Sequence, residues 1–223
     1  MTTSYEFVGR HTTYPDQTGK RQAEGGKRLR GDIRSSQPDK PLISVITVCW
    51  NSAETIEQTI QSIQSQTYEN VEYIIVDGNS SDATLDIIRK YEHLIDYYVS
   101  EPDKGIYDAM NKGLELAQGE AVLLLNSDDW YRDDAVERLV NAWQYSGCDF
   151  VGALALYIGE DGNNYVLPSM SYDHSVLLRM PLRHETMLIP SALYDKVGPY
   201  DLSYPIIADF DLTIRLFRAG ASY

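Results

Sequence analysis

Cysteine is scarce in this chain of 223 residues, which contains only Cys49 and Cys148. Two lone thiols outside any metal-type pair argue against a disulfide framework and indicate a reducing compartment. Long apolar runs are also missing, since no segment approaches the roughly 18 apolar residues of a membrane-spanning helix. The N-terminus has no apolar signal segment. These absences predict a soluble, cytoplasmic protein, while a membrane-resident substrate stays open.

Basic residues are few, because 19 Lys and Arg stand against 33 Asp and Glu and the formal net charge is −14. General nucleic-acid binding needs a basic surface, so we expect no nucleic-acid partner. One nucleotide could still bind through a metal ion. Residues 1–40 differ, with eight basic against five acidic residues, a net +3. We predict an N-terminal arm there, which could pack on the domain, stay flexible, or touch the inner face of an anionic membrane as a peripheral contact.

Two common phosphate-binding motifs are absent as well. The chain has no Gly-x-x-x-x-Gly-Lys loop, and no Gly-x-Gly-x-x-Gly follows its first predicted strand. Their absence argues against an ATPase and a dinucleotide dehydrogenase. The adjacent carboxylates Asp128 and Asp129 suggest another route, because such a pair repels unless positive charge lies near it. A divalent cation carrying an anionic ligand would meet that need. The alternative is a polar turn before the helix that begins near Asp133.

From residue 41 onward, strand and helix patterns alternate. This rhythm predicts an α/β fold in which a mostly parallel sheet is flanked by helices. The predicted strands are 42–48, 71–76, 95–99 and 121–125, each followed by a helix, the first of them capped by Asn51 or Ser52. Beyond Phe150 the rhythm ends. There we predict a β-hairpin, with Phe150 to Tyr157 and Tyr165 to Leu167 as its strands, then a strand 187–189 and a last helix from about Asp209. Residues 41–223 are thus expected to form one domain with a substrate-side addition.

Polar residues follow three of the predicted strands. They are Asn51, Asp77 and the sequence Asn126-Ser127-Asp128-Asp129. The carboxyl ends of parallel strands meet at one edge of an open sheet, where ligands bind. Asp77 could therefore accept hydrogen bonds from a ribose or a base edge. It could equally be a turn residue, because Asp-Gly is turn-prone.

Two helix starts add further candidates. In the segment from Glu101 to Gly105, Asp103 is suited to capping, and Lys104 with the helix N-terminus offers positive potential to a phosphate. Asp209 and Asp211 open the last helix, where one could face a cleft while the other caps. A half-buried carboxylate near others would have a raised pKa and could act as a general base. Simple capping is the alternative for both. His184 could bind a metal or a substrate, or be a polar loop residue.

Together these segments resemble the family 2 glycosyltransferases with the GT-A (Rossmann-like) fold, of the type found in bacterial polysaccharide biosynthesis. The resemblance covers about residues 41–220. It rests on Asp77-Gly-Asn-Ser-Ser-Asp-Ala-Thr, Glu101-Pro-Asp-Lys-Gly-Ile-Tyr-Asp-Ala-Met-Asn-Lys-Gly, Leu125-Asn-Ser-Asp-Asp-Trp, His184-Glu-Thr-Met and Ala208-Asp-Phe-Asp-Leu. It implies an inverting transferase that moves a sugar from a nucleotide-diphosphate donor to a glycan or lipid-linked glycan acceptor.

The resemblance also implies roles for single residues. Asp77 and Asp103 would contact the nucleoside, Asp128 the ribose or sugar, and Asp129 a Mg²⁺ or Mn²⁺ ion that grips the diphosphate. Asp209 would deprotonate the acceptor hydroxyl, with Asp211 as the second candidate for this role. Asn51 and Lys104, which the strand and helix ends place nearby, complete the expected donor site.

The chain departs from the family pattern in two places. Asn126 holds the first position of the metal motif that the family often writes Asp-x-Asp. The chain also ends at Tyr223, one helix past Asp209, so we expect a truncated product or one module of a longer chain. A catalytically incomplete nucleotide-sugar-binding module is therefore one alternative. A sugar-nucleotide pyrophosphorylase is another, although the Gly-rich basic loop that such enzymes carry after the first strand is missing.

Overall fold

The computed structural model describes residues 10–16, 19–159, 163–166 and 183–223. Within them a seven-stranded sheet packs against helices on both faces. The strands are β1 (Ala23–Gly25), β2 (Ile43–Cys49), β3 (Val71–Asp77), β4 (Tyr97–Ser100), β5 (Ala121–Asn126), β6 (Val151–Gly152), β7 (Leu156–Ile158), β8 (Asn164–Val166) and β9 (Met187–Pro190). The helices are α1 (Ile56–Gln64), α2 (Thr84–Lys90), α3 (Ile106–Leu116), α4 (Ala135–Ser146), α5 (Ser191–Val197) and α6 (Ala208–Arg218).

The strands of the large sheet follow the order β1-β4-β3-β2-β5-β9-β6. The four central strands, β4, β3, β2 and β5, run parallel. At the two edges β1, β9 and β6 pair antiparallel. Strand β2 is buried along its whole length, as expected for a central parallel strand covered on both faces. The predicted α/β fold with a mostly parallel sheet is therefore confirmed.

The sheet separates two apolar cores, because successive side chains of a strand point to opposite faces. Ile43 and Val45 of β2 face α1, α2 and α4, whereas Ile46 and Val48 face α3, α5 and α6. Helix α3 lies very close to the sheet. A Cβ atom on Gly113 would sit 2.4 Å from Cγ2 of Ile46, so only glycine allows this approach. The close packing fixes the position of α3 relative to β2.

The described part of the N-terminal segment lies against the domain. Strand β1 pairs with the edge strand β4, with Ala23 opposite Ser100. A 3-10 helix, Lys27–Arg30, follows, and its buried Arg28 forms an ion pair with Glu72 of β3. The described residues of the N-terminal segment thus pack on the domain, which is one of the three arrangements expected for residues 1–40.

Two element boundaries differ from the predictions. Helix α1 begins at Ile56, not directly behind a cap at Asn51 or Ser52. The reason is that Asn51 has a left-handed φ of 50° and its side chain binds the loop after β3 instead. Strand β4 begins at Tyr97 rather than at Ile95, because the backbone of Ile95 bonds the 3-10 helix.

The second half also differs from the predicted hairpin. The stretch after Phe150 splits into β6, which joins the edge of the large sheet, and β7, which pairs with β8. Leu167 and the turn residues 160–162 lie outside the described residues. Helix α5 was not predicted, since seven residues give only two turns of helical pattern. None of the helices in the described ranges is long and apolar enough to cross a membrane.

Candidate active site

The carboxyl ends of the parallel strands lie at one edge of the sheet. The register pairs Cys49 with Asp77, Asp77 with Ser100, and Val48 with Asn126. The loops that follow β2, β3, β4 and β5 therefore emerge side by side. Asp77 is the last residue of β3, and the loops carry Asn51, Asp103, Lys104, Asp128 and Asp129.

Asp77 is fully buried and receives several hydrogen bonds. Ser80 donates to it through its backbone N–H and its hydroxyl, and the Ser100 hydroxyl donates at 2.6 Å. The Cys49 thiol lies 3.6 Å from Oδ1 of Asp77, and burial raises the pKa of that thiol well above its ordinary value. Asp77 thus ties the ends of three strands together beneath the loops.

Asn51 and Ser52 join neighbouring loops to one another. The Asn51 carbonyl oxygen, Oδ1, accepts a hydrogen bond of 2.8 Å from the backbone N–H of Ser81. The hydroxyl of Ser52 lies 2.8 Å from that of Ser127 in the loop after β5. The loops after β2, β3 and β5 are therefore a connected unit. The indole of Trp50, the residue between Cys49 and Asn51, is 68% exposed beside this unit.

Asp103 and Lys104 lie at the start of α3. Asp103 accepts a hydrogen bond from the backbone N–H of Gly105 at 2.8 Å, and Asp108 accepts one from that of Lys104 at 3.0 Å. A Cβ atom on Gly78 would lie 2.5 Å from Oδ2 of Asp103, so this glycine admits the carboxylate to the Asp77 loop. Burial raises the pKa of Asp103.

The loop that carries Asp103 is anchored from behind by Glu101. This carboxylate is buried and accepts hydrogen bonds from Nε and Nη2 of Arg21, at 3.1 and 3.0 Å. Its other oxygen accepts one from the ammonium group of Lys112 at 2.9 Å, and this group also donates to the Pro102 carbonyl. The N-terminal segment therefore helps to hold the loop before α3.

Asp128 is exposed, whereas Asp129 is half-buried. Burial, together with the negative charges of Asp128 and Glu185, raises the pKa of Asp129 to about 6. The Thr59 hydroxyl of α1 holds this loop by donating to the Asp129 carbonyl at 2.8 Å. Asp129 is therefore a carboxylate in a site of concentrated negative charge.

Asp209 lies in the first turn of α6 and has donors on both oxygens. The Tyr107 hydroxyl of α3 lies 2.9 Å from Oδ1, and Nδ1 of His184 lies 3.4 Å from Oδ2. The raised pKa expected for a general base here is wrong for Asp209: burial raises its pKa, but the hydrogen bonds from His184 and Tyr107 outweigh burial and lower it below its ordinary value. Asp209 is therefore ionised at neutral pH.

Asp211 has a different setting from Asp209. Its carboxylate accepts a hydrogen bond from Nε of Arg215 at 2.7 Å. The same guanidinium group donates to the carbonyls of Val197, Gly198 and Pro199, just past the end of α5. Asp211 thus joins α6 to α5, and the two carboxylates of this turn are not brought together.

The residues near Asp129 could supply some of the ligands of a divalent cation, with a bound substrate supplying the others. Within residues 10–16, 19–159, 163–166 and 183–223, no three His, Cys, Asp or Glu side chains are arranged to bind a metal ion by themselves. Burial, and then repulsion from Asp128 and Glu185, raises the pKa of Asp129, and a cation would relieve the repulsion. In addition, the buried Oδ1 of Asn126 has no hydrogen-bond partner among these residues. Both observations suit a cation whose remaining ligands come from a bound diphosphate and water.

Sequence reasoning missed the side chains that support these loops. Tyr107 and Thr59 contact Asp209 and Asp129, which lie 102 and 70 positions away in the chain, and Arg21 contacts the anchoring Glu101, 80 positions away. Local patterns carry no information about such contacts. The one available signal was the placement of Tyr107 inside the segment that starts at Glu101.

Comparison with known sequences identifies the family of the chain. The model described as Glycosyl transferase family 2 matches residues 44–202. The chain belongs to this family, which confirms the resemblance found in its motifs. Membership also favours a transferase over a sugar-nucleotide pyrophosphorylase.

Several curated relatives are similar over most of the chain. An uncharacterized glycosyltransferase of Rickettsia typhi is 29% identical over 194 residues, which cover 82% of this chain and 61% of that protein. A PGL/p-HBAD biosynthesis glycosyltransferase of Mycobacterium bovis is 30% identical over 200 residues, with coverages of 81% and 72%. The chain therefore spans 61% and 72% of the length of these two relatives.

Solved structures share the fold. Staphylococcus aureus TarS 1–349 in complex with UDP has a TM-score of 0.65 and 24% identity, over 78% of this chain and 54% of that one. The mannosyltransferase PcManGT from Pyrobaculum calidifontis, in complex with GDP-Man and Mn²⁺, has a TM-score of 0.65 and 20% identity, over 86% and 56%. These similarities confirm the GT-A fold.

Proposed function

We propose that the chain transfers a sugar from a nucleotide-diphosphate donor to an acceptor hydroxyl with inversion of the anomeric centre. The observation that carries this proposal is the contrast between two aspartates of the site. Asp129 lies in concentrated negative charge, with its pKa raised to about 6, whereas donors hold Asp209 ionised. A carboxylate among like charges suits a cation, and the ionised Asp209, with one donor on each oxygen, keeps lone pairs that can accept a proton.

The donor is assigned to the loops at the sheet edge. Asp77, Asp103 and Asn51 shape the nucleoside side, and Asp77 does so chiefly by holding the loops, since its own oxygens already accept hydrogen bonds. Lys104 and the N-terminus of α3 offer positive potential to phosphate. Asp128, which is exposed, is assigned to the ribose or the sugar.

Asp209 is the assigned base of the reaction. It removes the proton of the acceptor hydroxyl while the oxygen of that hydroxyl forms a bond to the anomeric carbon. The bond from that carbon to the diphosphate oxygen breaks, and its electron pair leaves with the nucleoside diphosphate. One displacement from the opposite face inverts the centre. Asp211 was the second candidate base, and we assign it instead to positioning α6 through Arg215.

Asp129 would ligate Mg²⁺ or Mn²⁺, with the diphosphate as a shared ligand. When bound, the ion neutralises charge that develops on the leaving diphosphate. The M. bovis relative named for PGL/p-HBAD biosynthesis is consistent with glycan or glycolipid assembly. We therefore propose a glycan or lipid-linked glycan acceptor, used on the cytoplasmic side with or without peripheral membrane contact.

A thermal-shift screen tests the proposal. UDP, GDP, UDP-GlcNAc and GDP-mannose are added with and without Mn²⁺, because a ligand that binds only the folded state raises the melting temperature. We expect at least one of these nucleotides to raise it, and to do so only with Mn²⁺. No shift with any of them would contradict the proposal. Mn²⁺-dependent binding without release of nucleoside diphosphate would instead identify a nucleotide-sugar-binding module.

Two aspartate variants locate the ion. Asp129→Asn should abolish the Mn²⁺-dependent part of the shift. Asp86→Asn is the matched control, because it removes the same charge from an exposed residue of α2 whose ion pair with Arg89 lies at the surface. It should leave the shift unchanged. Equal loss in both variants would count against the assigned ligand.

A further inference from the structure

Tyr107 lies in the site but has no assigned role in the proposed reaction. It lies in the first turn of α3, three residues after Lys104. Its hydroxyl lies 2.9 Å from Oδ1 of Asp209 and 2.8 Å from the backbone carbonyl of Ile206, just before α6, so its single proton is shared between these two acceptors. Its ring is almost fully buried and stacks on that of Tyr200, with 5.3 Å between the ring centroids. A single side chain thus connects the helix behind the donor loop to the turn that carries the base.

The rest of α3 makes this connection rigid. Asn111, one turn further along, donates to the Tyr200 carbonyl and accepts from the Tyr200 backbone N–H, each at 2.8 Å. Gly113 lets the helix lie against β2. The ring of Tyr107 can therefore move very little relative to the donor loop, and its hydroxyl is a fixed reference point for the carboxylate of Asp209.

We propose that Tyr107 is a positioning residue that orients the carboxylate of Asp209 toward the acceptor hydroxyl. This inference rests on the proposed function, because it takes Asp209 to be the base. The bond to Tyr107 and the contact with His184 occupy one position on each carboxylate oxygen, so the carboxylate cannot rotate freely. A remaining lone pair is then directed at one place. Since Asp103 and Lys104 lie in the loop directly before the same helix, donor and base are aligned by one element.

The test is Tyr107→Phe, which removes the hydroxyl and keeps the ring that stacks on Tyr200. The substrate is UDP-GlcNAc or GDP-mannose with Mn²⁺, with water as the acceptor, and release of nucleoside diphosphate is measured. We expect kcat to fall about 10- to 100-fold, the range that one hydrogen bond to a charged group carries. The donor KM should stay unchanged, because the donor loop keeps its contacts.

A second measurement needs no substrate. Carboxyl carbon NMR follows the titration of Asp209, and its signal is identified by its loss in Asp209→Asn. Because the Tyr107 hydroxyl stabilises the ionised form, its removal should raise the pKa of Asp209. The matched control is Tyr73→Phe, in which a buried tyrosine loses a hydroxyl that bonds Thr47 at 3.1 Å. This control should change neither kcat nor the titration of Asp209.

The outcomes separate the inference from the function on which it rests. An unchanged kcat and an unchanged pKa of Asp209 in Tyr107→Phe overturn the inference. A fall in kcat that Tyr73→Phe matches, or one accompanied by an equal loss of donor affinity, also overturns it, because general packing then explains the effect. Undiminished turnover in Asp209→Asn overturns the proposed function. Inactive Asp209→Asn together with wild-type Tyr107→Phe overturns the inference alone.

Discussion

At the scale of single residues, burial and hydrogen bonding determine what each carboxylate of the site can do. Asp129 is half-buried beside like charges, so its ionisation costs free energy. A group whose pKa is raised on folding stabilises the folded state below its unfolded pKa. For Asp129 that stabilisation is lost as pH rises from about 4 to about 6, in the absence of a cation. At neutral pH, where Asp129 is ionised, the folded state is therefore less stable without a cation. A bound cation would offset the free-energy cost of that ionisation.

Gly78 is a position where an added methyl group would disturb the proposed donor site and little else. In Gly78→Ala the new methyl group would meet Oδ2 of Asp103 at 2.5 Å. A short carboxylate can turn away at small cost, so we expect stability to change by less than about 1 kcal/mol. The displaced Asp103 should weaken nucleotide binding about tenfold, which is about 1.4 kcal/mol. Isothermal titration with UDP or GDP in the presence of Mn²⁺ measures the effect.

Gly119→Ala serves as the contrasting variant. There the methyl group would meet backbone atoms, the Ser44 nitrogen at 2.6 Å and the Leu42 oxygen at 2.7 Å, and backbone cannot turn away. It should lower the melting temperature and leave nucleotide affinity unchanged in the molecules that remain folded. If Gly78→Ala binds nucleotide like the wild type, Asp103 does not contribute to the donor site as we assign it.

At the scale of elements, the N-terminal segment acts as an edge of the sheet. Strand β1 pairs with β4 and so covers an edge that would otherwise be exposed. The 3-10 helix that follows buries the side chain of Arg28. Glu72, the partner of Arg28, also accepts hydrogen bonds from the Ser44 hydroxyl and from the backbone N–H groups of residues 118 and 119. This buried carboxylate therefore links the segment to β2, β3 and the loop after α3.

Two arginines of the 3-10 helix allow a matched test of this anchoring. Arg28 and Glu72 are both about 2% exposed, whereas the side chain of Arg30 is 55% exposed in its pair with Glu92. Arg28→Ala leaves a buried carboxylate with its remaining donors, so we expect a loss of about 3 kcal/mol in the free energy of unfolding. Arg30→Ala should cost less than about 1 kcal/mol. Urea denaturation measures both, and equal losses would contradict the anchoring role.

At the scale of the whole molecule, negative charge is a property of the domain rather than of the site alone. The chain carries −14 in total, although residues 1–40 carry a net +3. Much of that positive charge is used internally, since Arg21, Lys27, Arg28 and Arg34 pair with carboxylates of the central sheet region. A basic N-terminal segment therefore served to neutralise buried acids, a role that composition alone does not reveal.

Much of the fold was predictable because its central strands are buried on both faces. Strands β2, β3 and β5 consist mostly of apolar residues, and the helices between them show a regular apolar face. Strand β1 was missed because Ala-Glu-Gly has no apolar alternation, and its pairing depends on β4 alone. Short edge elements are specified by their neighbours rather than by their own residues.

The candidate site was predictable to a smaller extent. Strand ends suggested Asp77 and Asp129 as candidates, since parallel topology places such ends together, and helix starts suggested Asp103 and Asp209. Which donors meet each carboxylate depends on tertiary packing. Asp209 and Asp211 are two residues apart in sequence, yet one faces Tyr107 and His184 and the other Arg215. Only the packing of α6 against α3 and α5 distinguishes them.

The burial of Cys49 gives the molecule a built-in reporter. This thiol lies beneath the loops after β2 and β3, against Asp77, and its pKa is raised, whereas Cys148 is partly accessible. An alkylating reagent should therefore modify Cys148 quickly and Cys49 only when these loops open. A nucleotide that closes the loops should slow the second modification further. Mass spectrometry of the two alkylated peptides would then measure the rate at which the loops of the proposed donor site open, without any label being introduced.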